Sequence, residues 1–259
     1  MSFFAPGHGM DGALPAGSFP AWIVGAVNGH VPDLRGGHRK NDKGVVKMGA
    51  VLPERDVAII SFVNGMGYVS YSQLKRRFTR EVSRRRLGEL CRCSYLRYDR
   101  IFFKGEGIYR VTAAGVKAAG HFLRPLKTVN LSTYRHDLQV VDLALLLEQM
   151  TGGCWISERV LQRRLRLQPG RIRREPLPDG LLAWPGREVA VELELSGKPY
   201  WRLEKILRSY TRSAYDEVWY VTGRADLSDR LELLLAALPF VRLASLEGGS
   251  LRWITSSPK

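Results

Sequence analysis

The stretch that decides the fold is residues 178–196, which read PDGLLAWPGREVAVELELS. An apolar segment at 181–184 is followed by a Pro185-Gly186-Arg187 turn and a second segment in which apolar and other side chains alternate. One face of the second segment carries Val189, Val191, Leu193 and Leu195, and the other carries Glu188, Ala190, Glu192, Glu194 and Ser196. The pattern predicts a β-hairpin that presents neighbouring carboxylates.

The acidic residues of this hairpin favour a site for Mg²⁺ or Mn²⁺. Asp179 starts the first strand and Glu192 lies on the second, so the hairpin brings two carboxylates together. Hard divalent cations prefer oxygen ligands and commonly take one or two protein carboxylates. Two plainer interpretations stay open: Pro-Asp-Gly is a common turn tripeptide, and Glu192 and Glu194 can form the solvent-facing side of an antiparallel strand.

The elements on both sides of the hairpin predict an α/β sandwich. Ser157 is a candidate cap for a short helix that begins with Glu158 and runs to residue 165. The other predicted elements are an apolar helix at 138–147, a helix at 200–214, a strand at 217–222, a helix at 231–238, and strands at 240–243 and 251–255.

The positive charge is concentrated in one part of the chain. The 259 residues have a formal net charge of +15, and residues 55–124 contain fifteen basic side chains against five acidic ones. Such clustering is typical of a surface that lies along a polyanion, although a charge run can also serve only to keep a surface solvated.

The same segment has a helix-turn-helix pattern followed by a hairpin. A helix is predicted at 55–64, a second helix after a cap within Val69-Ser70-Tyr71-Ser72, and a third after a Thr79 cap. Strands are predicted at 95–103 and 107–111, joined by a turn that contains glycine. Three helices and a hairpin in this order, with the phrase at 109–115, resemble the winged-helix fold.

That resemblance implies that the third helix enters the major groove of double-stranded DNA and that the wing follows the phosphate backbone. A winged helix used for protein contact is the alternative. The DNA-binding residues implied are Lys75, Arg76, Arg80, Arg84, Arg85, Arg86 and, at the wing tip, Lys104.

The second half resembles the PD-(D/E)XK nuclease fold, and more closely the replication-relaxation family, which includes mobilisation-protein-C type relaxases. The residues that carry the resemblance are His136-Asp137, the phrase at 155–158, Pro178-Asp179-Gly180, Glu192-Leu193-Glu194, Lys205 and Tyr210. It implies a DNA nickase or relaxase of a plasmid or integrative mobile element that acts in DNA relaxation, replication or mobilisation.

The implied site has Glu158, Asp179 and Glu192 as ligands of Mg²⁺ or Mn²⁺, with His136, Glu194 and Lys198 completing the catalytic set. Other mobilisation or replication proteins and a second copy of the chain are the further partners considered.

One departure from the nuclease pattern bears on activity. The pattern has a lysine two residues beyond the second acid, where this chain has Glu194. Lys198, His136 and Lys205 remain candidates for the positive charge. Cleavage by water and cleavage by a tyrosine both stay open, with Tyr134, Tyr200 and Tyr210 as candidates. The alternative function is a non-enzymatic DNA-binding regulator or accessory factor with a degenerate nuclease domain.

These features divide the chain into a flexible leader at 1–52, a winged-helix domain at 53–124 and a nuclease-like domain at 130–259. The three cysteines, Cys91, Cys93 and Cys154, form no CxxC pair, which favours reduced thiols over a zinc site. No stretch approaches the ~20 apolar residues of a membrane span, and we expect a cytoplasmic protein without membrane contact.

Overall fold

The computed structural model describes residues 52–167, 176–196, 198–223, 234–235 and 237–254. The leader predicted at 1–52 lies outside the described residues except for Leu52, and half of the helix predicted at 231–238, residues 231–233 and 236, also lies outside them. The described residues form helices with a three-stranded and a six-stranded sheet, so the predicted mixed α/β class is confirmed.

The first half contains four helices and the small sheet. Its elements are α1 (Glu54–Met66), β1 (Val69–Ser70), α2 (Tyr71–Phe78), α3 (Arg84–Arg92), β2 (Leu96–Asp99), β3 (Ile108–Val111) and α4 (Ala113–Ala118). The strands pair antiparallel in the order β1-β3-β2. The short β1 was not predicted, because two residues are too few to show a period.

Helix caps explain where α2 and α3 begin. Ser70 and Gln73 form a capping box at the start of α2, as the sequence predicted. The predicted Thr79 cap of α3 is wrong: Thr79 lies just past the end of α2 with φ 38°, and the Ser83 hydroxyl caps α3 by accepting from the backbone N–H of Arg86. The strand predicted at 95–103 ends at Asp99, and residues 100–107 form a loop.

The second half is built on the large sheet. Its elements are α5 (Tyr134–Thr151), β4 (Cys154–Ser157), α6 (Glu158–Arg166), β5 (Gly180–Trp184), β6 (Arg187–Glu194), α7 (Tyr200–Ser209), a 3₁₀ turn (Tyr210–Arg212), β7 (Glu217–Thr222), β8 (Val241–Glu247) and β9 (Ser250–Trp253). The strand order follows the chain from β4 to β9; β6, β7 and β8 run parallel, and the other pairs are antiparallel.

Both faces of this sheet are covered. On one face Val189, Val191 and Leu193 of β6 pack with Leu143, Ala144 and Leu147 of α5. On the other face Ala190 packs with Leu161 of α6 and with Leu203 and Leu207 of α7. The polar face of β6 therefore lies under helices, and Glu194 is only 1% exposed. The solvent-facing interpretation is thus wrong for Glu194.

Helix α5 belongs to two cores. Its Val141 and Leu145 pack with the apolar side chains of α1, α2 and α3, while Leu143, Ala144 and Leu147 pack on the large sheet. A helix with apolar residues around most of its circumference needs partners on both sides, which explains its composition. Within the described ranges, none of the helices has the length and apolar character required to span a membrane.

Candidate functional site

The β5–β6 hairpin places Asp179 and Glu192 opposite each other. Gly180 pairs with Val191, so the next position outward joins Asp179 with Glu192. The Asp179 carboxylate accepts a hydrogen bond from the backbone N–H of Leu193 at 2.8 Å, which fixes it against β6. The register thus brings together the two carboxylates that the sequence singled out.

Glycine is required next to Asp179 because of a close approach. A Cβ atom at Gly180 would lie 2.1 Å from the indole ring of Trp155 on the neighbouring strand β4. The Trp155 ring therefore packs directly over the backbone that starts β5. This close packing holds the chain that carries Asp179.

His136 contacts the Asp179 carboxylate from the first turn of α5. Its Nε2 lies 3.4 Å from Asp179 Oδ2 and 3.1 Å from the carbonyl oxygen of Leu193, and its Nδ1 lies 3.6 Å from Asp137 Oδ1. Hydrogen bonding to Asp137 and then to Asp179 raises the pKa of His136 to about 10, despite the opposing effect of burial. At neutral pH His136 is therefore an imidazolium beside Asp179.

The Glu192 carboxyl is partly buried, and it lies between the neutral hydroxyl of Tyr210 and the negative charge of Asp179. The Tyr210 hydroxyl donates a hydrogen bond to its Oε1. Burial, followed by the negative charge of Asp179, raises the pKa of Glu192 to about 8. The folded protein therefore favours a proton or another positive charge at this carboxylate.

Glu194 faces a different set of partners. Lys198 Nζ lies 2.6 Å from its Oε2, and the Ser196 N–H and hydroxyl both donate to Oε1 at 2.7 Å. Burial by itself raises the pKa of Glu194, but the hydrogen bonds from Lys198 and Ser196 outweigh it and the net shift is downward. Both Glu194 and Lys198, predicted members of the catalytic set, are thus engaged in an ion pair with each other.

Glu158 lies beside the carboxylate pair at the start of α6. Its backbone N–H donates to the carbonyl oxygen of Asp179 at 3.3 Å, and its carboxylate accepts from Gln162 at 2.9 Å. Burial and the charge of Asp179 raise the pKa of Glu158. Among the residues that the structure describes, no group of three or more His, Cys, Asp or Glu side chains is arranged to hold a metal ion. The arrangement is therefore a carboxylate pair with Glu158 nearby.

Two residues that sequence reasoning missed connect this site to the first half of the chain. The Tyr68 hydroxyl donates to Asp137 Oδ2 at 2.9 Å, and the Thr133 hydroxyl donates to the same oxygen at 3.0 Å. Tyr68 precedes β1, 69 residues from Asp137. No local pattern signals this contact, because the partners meet only after the two halves have packed together.

The predicted DNA-binding residues fall into two groups. Arg80, Arg84, Arg85 and Lys104 are exposed; the Arg84 guanidinium lies 4.3 Å from the centre of the Tyr71 ring, and Arg85 Nε lies 3.2 Å from Glu89 on the same helix. The second group is bound to residues outside its own helix or to a helix end: Arg86 pairs with the buried Asp56, Arg76 lies 2.6 Å from Asp142, and Lys75 donates to the carbonyl oxygen of Thr79 at 2.6 Å. The side chains of the first group therefore extend from the protein surface.

The loop at 100–107 contacts the first turn of α5, the turn that also carries His136. Glu106 ties it to the start of α2 by accepting from the Ser72 N–H at 3.1 Å and from the Ser72 hydroxyl at 2.7 Å. The Phe102 ring meets the Tyr134 ring edge-on, with centroids 5.3 Å apart, while Phe103 is 86% exposed. Tyr134 begins α5, two residues before His136. The loop therefore packs on the helical turn that carries His136.

The remaining candidates are distributed as follows. Tyr210 is at the site through Glu192, whereas Tyr200 and Lys205 are exposed on α7. A search of protein-family models found no match to this chain, and a search of curated proteins also found none. The residues themselves therefore carry the functional evidence.

Proposed function

We propose that this protein binds double-stranded DNA and nicks it at the Asp179–Glu192 pair, as a metal-dependent nickase or relaxase of a plasmid or integrative mobile element. Its role would be DNA relaxation, replication or mobilisation in the cytoplasm, together with other mobilisation or replication proteins. The observation that best supports this function is the hydrogen bond from the backbone N–H of Leu193, next to Glu192, to the Asp179 carboxylate, beside the imidazolium of His136.

The architecture of the two halves is consistent with this proposal. Helices α1, α2 and α3 with a three-stranded antiparallel sheet and an exposed loop support a winged-helix domain. A mixed six-stranded sheet with α5 on one face and α6 and α7 on the other supports a PD-(D/E)XK nuclease-like domain. The loop at 100–107 touches the first turn of α5, the turn that also carries His136.

The proposed cation is Mg²⁺ or Mn²⁺, because the donors at the site are carboxylate oxygens, which hard divalent cations prefer. Asp179 and Glu192 would hold the cation, since burial and the charge of Asp179 raise the pKa of Glu192 and a positive charge would relieve that repulsion. A cation bound there would supply positive charge for the phosphodiester and would activate a water. Glu158, whose backbone N–H bonds to the carbonyl oxygen of Asp179, is the next carboxylate of the site.

In this proposal His136 supplies the positive charge that a lysine supplies in the nuclease pattern. Its Nε2 carries a proton next to Asp179, and Asp137 holds the ring from the other side. Lys198 is unsuited to this part because it is paired with Glu194. We expect His136 to stabilise negative charge on the phosphate, and the Tyr210 hydroxyl to orient Glu192.

Nicking of supercoiled plasmid tests the catalytic proposal. With Mn²⁺ present, the wild-type protein should nick, whereas Asp179→Asn and Glu192→Gln should each lose about 100-fold or more in rate. Glu188→Gln is the matched control, because Glu188 is an exposed carboxylate on the same strand. Equal nicking by all four proteins would assign the activity to a contaminant or to another site.

The DNA-binding proposal is tested by salt dependence. Duplex affinity should fall linearly with salt on a log–log plot, and Arg84→Ala and Arg85→Ala should each reduce the slope by about one. Arg86→Ala should instead lower stability, because it leaves the buried Asp56 with only the half-exposed Arg55 as its ion-pair partner. A flat salt response in the wild-type protein would end this assignment.

A second function, a non-enzymatic DNA-binding regulator or accessory factor, is favoured by the Glu194–Lys198 ion pair. That pair engages Lys198, a candidate for the positive charge that hydrolysis needs, and it also engages the Glu194 carboxylate. Calorimetric titration with Mn²⁺ discriminates between the two functions. Salt-dependent duplex binding without heat from Mn²⁺ would favour the regulator.

A further inference from the structure

The outer surface of α7 and the following 3₁₀ turn forms an open groove of about 660 Å³, away from the buried contacts of that helix. The side chains that line it include Trp201, Lys205, Arg208, Ser209, Thr211 and Arg212. A cavity of about 300–1,000 Å³ is the size range of ligand sites. The groove is therefore large enough for a bound group.

Among the residues that the structure describes, Trp201 belongs to none of the buried clusters that α7 forms with the sheet. The inner face of α7 is complete without it, because Leu203 and Leu207 are fully buried on the sheet. Trp201 itself is 65% exposed. A large planar apolar side chain held at the surface by a helix is suited to contact another planar group.

The charge around Trp201 is positive. Lys205 stands one turn after Trp201 and Arg208 a further turn on, with Arg212 beyond the helix end. Glu204 is the single acidic side chain among the groove residues within the described part of the chain, and it pairs with Arg208 at 2.8 Å. With Lys205, Arg208 and Arg212 against Glu204, the groove residues have a net positive charge, which favours an anionic ligand with planar groups over an apolar protein surface.

We propose that this groove binds single-stranded DNA, with a base stacked on Trp201 and the backbone phosphates along Lys205, Arg208 and Arg212. The inference rests on the proposed action on DNA, since a nick creates a free strand end from which a single strand can be unwound. Stacking on an aromatic side chain accepts every base, and cations along the groove follow the sugar–phosphate chain.

The test uses the full chain and two fluorescein-labelled oligonucleotides, (dT)₁₅ and an abasic strand of equal length. We expect the wild-type protein to bind (dT)₁₅ about tenfold more tightly than the abasic strand. Trp201→Ala should abolish this difference, and Trp201→Phe should retain most of it because phenylalanine still stacks. Circular dichroism should show all three proteins equally folded, since Trp201 is exposed.

Two outcomes would overturn the inference. One is equal affinity for the two strands, which would reduce the groove to a nonspecific cationic surface. The other is competition by poly-glutamate as effective as that by (dT)₁₅, which would indicate an acidic protein partner.

A duplex control separates this inference from the proposed function. Trp201→Ala should leave duplex affinity unchanged, whereas Arg84→Ala should lower duplex affinity and leave the preference for (dT)₁₅ intact. Failure of nicking with a retained Trp201-dependent preference for (dT)₁₅ would reject only the catalytic proposal.

Discussion

Replacing Glu192 with glutamine should stabilise the protein at alkaline pH. The glutamine keeps the shape of the side chain and an oxygen that accepts from Tyr210, but it removes the charge next to Asp179. The pKa of Glu192 is about 8 in the folded protein, against an ordinary value of 4.5, because of burial and the charge of Asp179. Above pH 8 the charged wild-type side chain costs on the order of 5 kcal/mol of unfolding free energy.

The direction of this pH dependence follows from the number of protons that the folded and the unfolded states bind. Between pH 4.5 and 8 the folded protein holds a proton that the unfolded chain releases, so the stability of the wild-type protein falls as pH rises through this window. Below it the carboxyl is neutral in both states, and the variant gains nothing. His136 titrates in both proteins, so its contribution largely cancels from the comparison.

Urea denaturation at several pH values and low salt measures the effect. The advantage of Glu192→Gln should be near zero at pH 4.5, grow steadily and level off above pH 8. Mn²⁺ at pH 8 should narrow the difference by binding only the wild-type pair. An advantage that is independent of pH, or one matched by Glu188→Gln, would refute the electrostatic coupling of Glu192 with Asp179.

Further predictions address the site's surroundings. Gly180→Ala should lower the unfolding free energy by about 1–3 kcal/mol, because its Cβ meets the Trp155 ring. Gly88→Ala on α3, whose Cβ meets no atom within 4 Å, should stabilise the protein by up to about 1 kcal/mol. Thermal denaturation of both variants checks this, and equal effects would contradict the close packing of Gly180 against Trp155. Phe103→Ala should weaken duplex binding severalfold in an anisotropy titration but leave the salt slope unchanged, since no charge is lost; a reduced slope would count against this. Tyr68→Phe should cost about 2 kcal/mol in urea denaturation by removing the donor to a carboxylate, and a loss below about 0.5 kcal/mol would show that the bond contributes little.

Local patterns were enough to predict the hairpin and several boundaries. The alternation of residues 188–196 and the Pro185-Gly186 turn predict β5 and β6, and β7 runs over 217–222 as predicted. The start of α2 follows from Ser70, whose hydroxyl caps the helix. Each of these features depends on neighbours along the chain, and therefore the sequence reveals them.

Features that depend on distant packing were not predictable in this way. Alternation shows that Glu192 and Glu194 share a face, but not that α7 covers that face and leaves Glu194 buried against Tyr220. The strand β4 has only four residues between two helices, too few for a clear period. The exposed arginines also look alike in sequence, and only the fold shows that Arg86 is committed to Asp56.

The double burial of α5 has a consequence for how the chain unfolds. Because one helix supplies side chains to both cores, neither half can lose its structure without exposing apolar surface of the other. We expect a single cooperative transition, with the central amides of α5 among the slowest to exchange with deuterium. Binding of DNA by the first half would then make α5, which carries His136 in its first turn, more rigid along its length.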